Sequence, residues 1–383
     1  MESLKGAILV VDDIPANLEI LLDMLAELGH ETLVATDGES ALEQAAYAQP
    51  DLILLDVMMP GIDGFETCLR LKQNPATCGI PVIFMTALTD TADMVKGLEI
   101  GAVDYITKPL QHEEVTARVK THLTLRQLQR GLEQTNVRLR SALAQIDGQI
   151  DEIAGLQRAL LPDKMPALPG ANLAVHWQSY DRAGGDYYDI LENEDGSVGL
   201  LIADVSGHGP SAAVVVAMLH AWLHGLVLPR SPAQLLADLN ERFTRREVGQ
   251  SFITACFAWY HPVSRELVVA SAGHPAPLLR RGNDVSRLML NIAPPLAVFP
   301  GLQGSDSRHT LHPGDSLLFY TDGLSEATNP PGDFLDEEGL CAIFANLTGD
   351  ASSQRDQLLA KIADFEAGAR PSDDKALILL QVE

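Results

Sequence analysis

The sequence predicts an α/β protein of two domains joined by one long helix. Three observations predict it. At 383 residues the chain is too long for one ordinary core. Residues 1–120 alternate short apolar runs with amphipathic stretches, the pattern of a parallel sheet with helices on both faces. From residue 125 an apolar position recurs every seven residues, and beyond it apolar runs end repeatedly in acidic, glycine-flanked turns.

The strands of the first segment are "AILVVDD" (7–13), "ETLVAT" (31–36), "DLILLD" (51–56), "PVIFMTA" (81–87) and "DYITKP" (104–109). Between the first two, "PANLEILLDMLAELG" (15–29) has helical spacing, with Pro15 suited to a first turn and Gly29 to a C-cap. "GESALEQAAYAQ" and "TADMVKGLEIGA" read as helices in the same way. In such a sheet ligands bind beyond the carboxyl ends of the strands. Those ends carry Asp12 and Asp13, Asp56, Thr86, and Lys108-Pro109.

Three carboxylates in one crevice raise each other's pKa unless a cation lies between them. Oxygen-only ligands suit Mg²⁺. Lys108 and Thr86 would then hold the oxygens of a phosphoryl group on Asp56. Singly, Lys108 reads as a surface lysine and Thr86 as a strand residue; five such residues at matching strand ends point to a site. The motifs "VVDD", "LLDVMMPGIDG", "MTA" and "DYITKP" resemble a two-component response-regulator receiver over residues 1–120. The resemblance implies that Asp56 is the phospho-acceptor. It gives Asp12, Asp13, Asp56 and the Met58 carbonyl as Mg²⁺ ligands, and Lys108, before a cis bond to Pro109, as the phosphoryl contact. Thr86 and Tyr105 form its switch pair, and the partner it implies is a histidine kinase.

The connector, residues 121–160, carries Leu125, Leu132, Leu139, Ile146, Ile153 and Leu160 at seven-residue spacing. The companion seam is Leu128, Thr135, Ala142, Gln149 and Leu156. This is an a/d pattern. A helix of ~35 residues is roughly 50 Å long, more than one small domain covers, so a parallel homodimeric coiled coil is the preferred reading over a helix lying on its own domain. The repeat stops at "LLPDKMPALPG", where prolines forbid further helix.

In residues 161–383 four acidic turns each end or precede an apolar run: "GGDYYD" with Asp186, "LLIADVSGHG" with Asp204, "FYTDG" with Asp322, and "PSDDKALILL" with Asp373 and Asp374. The Gly-Gly-Asp turn alone resembles that of cyclic dinucleotide synthases, but Tyr187 stands where their second acid would be. One such turn is generic; the ordered set points to a pair of hard cations, which can activate a water at neutral pH for attack on phosphorus. With "LLPDKMPALPG", "FITACFAWYHP" and "ASAGHPAPLL", these pieces resemble the PPM superfamily of metal-dependent Ser/Thr phosphatases, in its SpoIIE/RsbU branch. The resemblance implies an α-β-β-α sandwich. Its two Mn²⁺ or Mg²⁺ ions would be held by Asp186, Asp204, Asp322, Asp373 and the Val205 carbonyl, with Asp374 as the alternative to Asp373. His208 and His274, in turns beside glycine, read as structural or supporting rather than as catalytic acids. Ala183, Ser179-Tyr180 and Ala297 depart from the family pattern, and Ala297 stands where a turn glycine is common.

The net charge of −25 divides as −13 before residue 121, +1 over the connector and −13 after it. That argues against nonspecific nucleic-acid or anionic-membrane binding. Cys68, Cys78, Cys256 and Cys341 make no CxxC pair or zinc spacing and read as reduced thiols of a cytoplasmic protein. "AILVV" is too short for a signal peptide, and the 17-residue apolar run 212–228, interrupted by His220 and His224, reads as a buried core helix rather than a membrane span. "RFTRRE" (242–247) reads as a solvated helix face or a dock for an acidic partner. The expected function is a response regulator whose output is a phosphatase, acting by resemblance on a phosphorylated anti-sigma-factor antagonist. The alternative is an adaptor that uses the phosphatase fold without turnover.

Overall fold

The computed structural model describes residues 5–87, 91–229, 231–246, 251–369 and 373–383. It divides into two compact units, 1–142 and 143–383.

The first unit runs β1 (Ala7–Val11), α1 (Pro15–Glu27), β2 (Glu31–Ala35), α2 (Gly38–Ala48), β3 (Leu52–Asp56), α3 (Gly64–Gln73), β4 (Val82–Thr86), α4 (Thr91–Glu99), β5 (Asp104–Thr107) and the start of α5 (His112–Arg158). The strands form a parallel sheet in the order β2-β1-β3-β4-β5. Local chemistry starts the helices where the sequence places them. Pro15 opens α1 with its φ already helical. Asp37 and Asp63 cap α2 and α3 by accepting from the N–H groups of Ser40 and Glu66. Gly29, just past α1, takes φ +79°, which a side chain would resist. Alternate strand residues face opposite layers. Leu9, Val11, Ile53 and Leu55 pack with Ala41, Ala45, Cys68 and Leu71 of α2 and α3. Ile8, Val10, Leu52 and Leu54 pack with Leu18 and Leu21 of α1 and with Val115 and Val119 of α5. Strands buried on both faces explain the unbroken apolar runs in the sequence.

Helix α5 is a single element of 47 residues. Along its middle the predicted seam is open to solvent: Leu125, Leu128, Leu132, Leu139 and Ile146 are each more than half exposed. The seam is shorter than the repeat suggests. Ile153 packs against Ala154, Ala183 and Ala213, and Leu160 joins the second unit's core, so these two heptad positions are taken up by the chain's own domain.

The second unit continues with β6 (Ala171–Gln178), β7 (Asp186–Glu192), β8 (Val198–Val205), α6 (Pro210–His224), α7 (Pro232–Thr244), β9 (Ile253–His261), β10 (Glu266–Ala272), β11 (Leu278–Arg281), β12 (Asp284–Arg287), β13 (Ile292–Ala293), β14 (Ser307–Thr310), β15 (Ser316–Tyr320), α8 (Asp322–Ser325), α9 (Asp336–Ala345), α10 (Ala351–Glu366) and β16 (Lys375–Val382). One sheet has the order β13-β10-β9-β8-β7, with β14 also on β10; the other is β12-β11-β15-β16-β6. Pairing is antiparallel except between β10 and β13. The sheets bury Leu200, Ile202, Tyr260, Phe319, Ile378 and Leu380 between them. The outer face of the first sheet is covered by α6 and α7, through Val216, Leu219, Leu236 and Leu239. That of the second is covered by α9 and α10, through Leu340, Phe344, Leu358 and Ile362. The layers are therefore α-β-β-α. The apolar run at 212–228 forms α6 and the turn that follows; among the described residues no helix is long and apolar enough to cross a membrane. The four cysteines are free thiols.

Candidate functional site

In the first unit the strand order places β1 beside β3, so Asp12 and Asp56 leave adjacent strand ends at the point where the order reverses. Both are buried, and with Asp13 they bring carboxylate oxygens within 4.8 Å of one another. Lys108 Nζ bridges two of them, 2.9 Å from Asp12 Oδ2 and 2.8 Å from Asp56 Oδ2. Asp12 is fixed by the Ile14 N–H at 2.9 Å and by Asn17 Nδ2 at 3.0 and 3.1 Å. Asn17 was not singled out by the sequence reading; its one signal is its position five residues after Asp12. Burial pushes the Asp56 carboxyl up, against the pull of Lys108. The Met58 N–H lies 3.4 Å from Asp56 Oδ1, and the Lys108–Pro109 bond is cis. Thr86 and Tyr105 line one small cavity with Val57, Phe84 and Leu98. Helix α5 reaches this corner: the Arg118 guanidinium lies 5.4 Å from the Tyr105 ring centre and donates to Asp104 Oδ1 at 2.5 Å, while His122 Nε2 is 3.0 Å from Asp104 Oδ2.

In the second unit the register of β7 on β8 sets Asp186 opposite Asp204. Asp322 follows the end of β15, and Asp373 and Asp374 precede its neighbour β16. The two sheets are tied at this edge by Thr321, whose Oγ1 donates to Asp186 Oδ2 at 2.6 Å and accepts from the Ala376 N–H at 2.9 Å. Two glycines permit the close approach. A Cβ on Gly185 would lie 2.3 Å from the Val205 carbonyl oxygen, and one on Gly323 would lie 1.8 Å from that of Asp374.

The carboxylates repel one another. Asp186 is 2% exposed, and burial followed by Asp204 holds its carboxyl far above the usual range. Burial and then Asp322 and Asp373 push Asp204 up to about 7; burial, Asp373 and Glu326 push Asp322 up to about 6. Asp373, although its side chain is exposed, is raised by partial desolvation within the cluster and then by the Asp374 charge. Among the described residues no lysine or arginine pairs with Asp186, Asp204, Asp322 or Asp373. Uncompensated, clustered carboxylates of this kind fit hard divalent cations. No three of them converge within 4.8 Å among the described residues, so they are spread more widely than ligands around one ion.

The two adjacent aspartates separate clearly. Asp373 is exposed, whereas Asp374 is 3% exposed and both its oxygens accept hydrogen bonds. It accepts from Ser179 Oγ at 3.2 Å, the Tyr180 N–H at 2.6 Å and the Gly185 N–H at 2.6 Å. Ser179-Tyr180 thus has a structural partner. Ala183, a second departure, is buried beside Ala154 and Ala213. His208 is exposed near Asp373. His274 is buried, takes the Thr254 hydroxyl at Nδ1 (2.8 Å) and donates from Nε2 to the Tyr320 carbonyl (3.0 Å); burial pushes it down to about 4, so it is neutral. It supports the strand ends that carry Asp204 and Asp322.

Three residues of the site were missed in the sequence. Thr321 links the sheets. Glu326, four residues after Asp322, adds to the negative field on Asp204 and Asp322. Gln157, near the end of α5, forms a reciprocal buried pair with Gly184: its Nε2 donates to the carbonyl at 2.8 Å and its Oε1 accepts from the N–H at 3.1 Å. Arg182 adds ion pairs to Asp147 and Asp151 of the same helix at 3.3 and 3.4 Å. Elsewhere, Arg242, Arg245 and Arg246 line an open cleft with Trp222 and Leu226; Glu247, like Pro371 and Ser372 beside the last acidic turn, lies outside the described residues.

Residues 8–120 match the family described as response regulator receiver domain, and residues 194–383 match that described as Stage II sporulation protein E (SpoIIE). The chain is 48% identical over 118 residues to "Response regulator PleD" of Caulobacter vibrioides, covering 31% of this chain and 26% of that protein. It is 44% identical over 123 residues to "DNA-binding response regulator MtrA" of Mycobacterium tuberculosis, covering 32% and 53%. The chain therefore spans about a quarter to a half of the length of these relatives. The "SiaA-PP2C domain of Pseudomonas aeruginosa" superposes with a TM-score of 0.56 at 21% identity, covering 63% of this chain and 99% of that one, which shows the fold of the second unit.

Proposed function

We propose that this chain, in which a response-regulator receiver domain precedes a SpoIIE-type PP2C-like domain, is a two-component regulator whose output is metal-dependent phosphoserine or phosphothreonine phosphatase activity. The observation that carries the reading is the set of four carboxylates on facing sheet edges, raised by desolvation and by one another and paired with no lysine or arginine among the described residues. Asp186, Asp204, Asp322, Asp373 and the Val205 carbonyl would hold two Mn²⁺ or Mg²⁺ ions. Such a pair supplies Lewis-acid activation of water and neutralises phosphoryl charge. The chain's own part is to fix these oxygens: Thr321 orients Asp186, Asp374 locks the Gly184-Gly185 turn, and His274 braces the strands behind Asp204 and Asp322.

In the receiver, Asp56 would take a phosphoryl group from a histidine kinase, with Asp12, Asp13, Asp56 and the Met58 carbonyl around Mg²⁺ and Lys108 on the phosphoryl oxygens. Thr86 and Tyr105 would then rearrange, and Tyr105 already stacks on Arg118 of α5. The same helix ends in Gln157, which holds the turn just before Asp186. A change in α5 therefore has a physical route to the phosphatase carboxylates. The exposed leucines of its middle supply a homodimer seam. The substrate class we propose is a phosphorylated anti-sigma-factor antagonist, in the cytoplasm.

Hydrolysis of p-nitrophenyl phosphate by the full chain with Mn²⁺ tests the reading. Turnover should require the metal and fall by at least about a hundredfold in Asp322→Asn. Equal rates in the two proteins would leave the adaptor reading in its place.

A further inference from the structure

On the helix-covered side of β7, away from the carboxylate edge, lies a group of a different chemistry. His220 and His224 are one turn apart on α6, with ring centres 4.3 Å apart. Asp189 of β7 faces them and is 3% exposed. Its Oδ2 lies 2.8 Å from His224 Nε2 and 3.9 Å from His220 Nδ1, and the three ligand atoms all fall within 4.8 Å of one another. The carboxylate is held in place: Oδ1 accepts from the Ile190 N–H at 2.8 Å, and Oδ2 accepts from the Tyr187 hydroxyl at 2.5 Å. Tyr187 also reaches His220 Nδ1 at 2.8 Å.

We propose that Asp189, His220 and His224 form a site for one divalent transition-metal ion of the zinc class, separate from the oxygen-only centre of the phosphatase. Two imidazole nitrogens and one carboxylate oxygen suit zinc, and nickel or copper in competition, but not magnesium. The oriented Tyr187 hydroxyl is the outer partner that ligating carboxylates commonly have. Three protein ligands leave a fourth position, which opens to solvent because the His224 side chain is 46% exposed. The ion would pin the last turn of α6 to β7 three residues beyond Asp186, and the first turn of α6 follows the Gly-His-Gly loop after Asp204. Binding would therefore stiffen the frame on which two of the phosphatase carboxylates sit.

The test uses full-length protein stripped with a chelator and dialysed against zinc in excess magnesium, which occupies oxygen-only sites. Wild type and Asp322→Asn should each retain one zinc per chain; His220→Ala and His224→Gln should bind at least about tenfold more weakly. Retention by Asp322→Asn separates this site from the phosphatase reading. Cobalt in place of zinc should give the intense visible bands of four-coordinate geometry in wild type and Asp322→Asn, and in neither histidine variant. X-ray absorption of zinc-loaded wild type reads the ligands without any substitution, and should show two imidazoles. Zinc retention unchanged by both histidine substitutions, no zinc uptake by wild type, or a zinc shell without imidazole would each overturn the proposal.

Discussion

Replacing Asp374 by asparagine should damage the fold, whereas replacing Asp373 should damage only the chemistry. Asp374 is buried and accepts three hydrogen bonds, two of them from backbone N–H groups at 2.6 Å. Those at Oδ1 survive in weakened form if the amide oxygen takes that position. The amide nitrogen then faces the Gly185 N–H, donor against donor, inside a turn where a Cβ on Gly184 would already lie 2.2 Å from Asp374 Oδ2. A charge-assisted bond is worth roughly 1.5–3 kcal/mol and an unsatisfied buried donor costs about 1–3, so the loss should be about 3 kcal/mol, or roughly 6–12 °C in Tm for a unit of this size. Asp373 is exposed, and the bond it accepts from the Asp374 N–H at 2.8 Å can be kept by asparagine. Removing its charge also relieves Asp204 and Asp322. Its stability should stay within about 0.5 kcal/mol of wild type or rise, while Mn²⁺-dependent turnover falls. Urea unfolding of the full chain followed by tryptophan emission measures this directly, because Trp177, Trp222 and Trp259 all lie in the second unit. An unchanged midpoint for Asp374→Asn together with a lowered one for Asp373→Asn would refute the division of roles.

Other outcomes follow from single contacts. Gly185→Ala places a Cβ 2.3 Å from the Val205 carbonyl and should cost at least about tenfold in p-nitrophenyl phosphate turnover, with folding checked by circular dichroism. Ala297 sits at φ +68°, its N–H held by Asn240 Oδ1 at 2.9 Å; Ala297→Gly should raise the urea midpoint by about 1 kcal/mol equivalent. His274 titrates near 4 when folded and near 6.5 when unfolded, so the unfolded chain binds the extra proton between those values. The stability this group contributes is complete above pH 6.5 and should be lost, by about 3 kcal/mol, as pH falls towards 4; the slope measured for wild type should exceed that of His274→Gln over this window. Gln157→Leu leaves the Gly184 N–H and carbonyl unpaired and should lower the second unit's stability by about 1–3 kcal/mol in the same urea assay.

The receiver half was legible because its strands are buried on both faces and its site residues fall at strand ends, where sequence and geometry coincide. The connector was legible as a helix but not in its partners. A seven-residue repeat reports an apolar stripe, and Ile153 and Leu160 show that the same stripe can end on the chain's own core. The acidic turns stood out by type and flanking glycines. Which of two neighbouring aspartates faces the cluster is a matter of burial, and burial at 373–374 depends on Ser179, Tyr180 and Gly185, nearly two hundred residues away. Thr321 and Gln157 were hidden for the same reason: a threonine at a strand end and a glutamine on a helix carry no pattern, and only the packing of one sheet or helix against another gives each its partner. Ala297 is the opposite case. The expected turn is present, with an alanine in a backbone conformation that favours glycine.

Receiver-controlled phosphatase activity is read out by turnover of a phosphoserine protein by the full chain with Mn²⁺, before and after loading Asp56 with a small phosphodonor such as acetyl phosphate. Turnover should depend on the metal, be abolished in Asp322→Asn, and change several-fold or more with phosphodonor in wild type but not in Asp56→Asn. Turnover indifferent to metal and to Asp322, or a phosphodonor effect that persists in Asp56→Asn, would contradict receiver-controlled phosphatase activity.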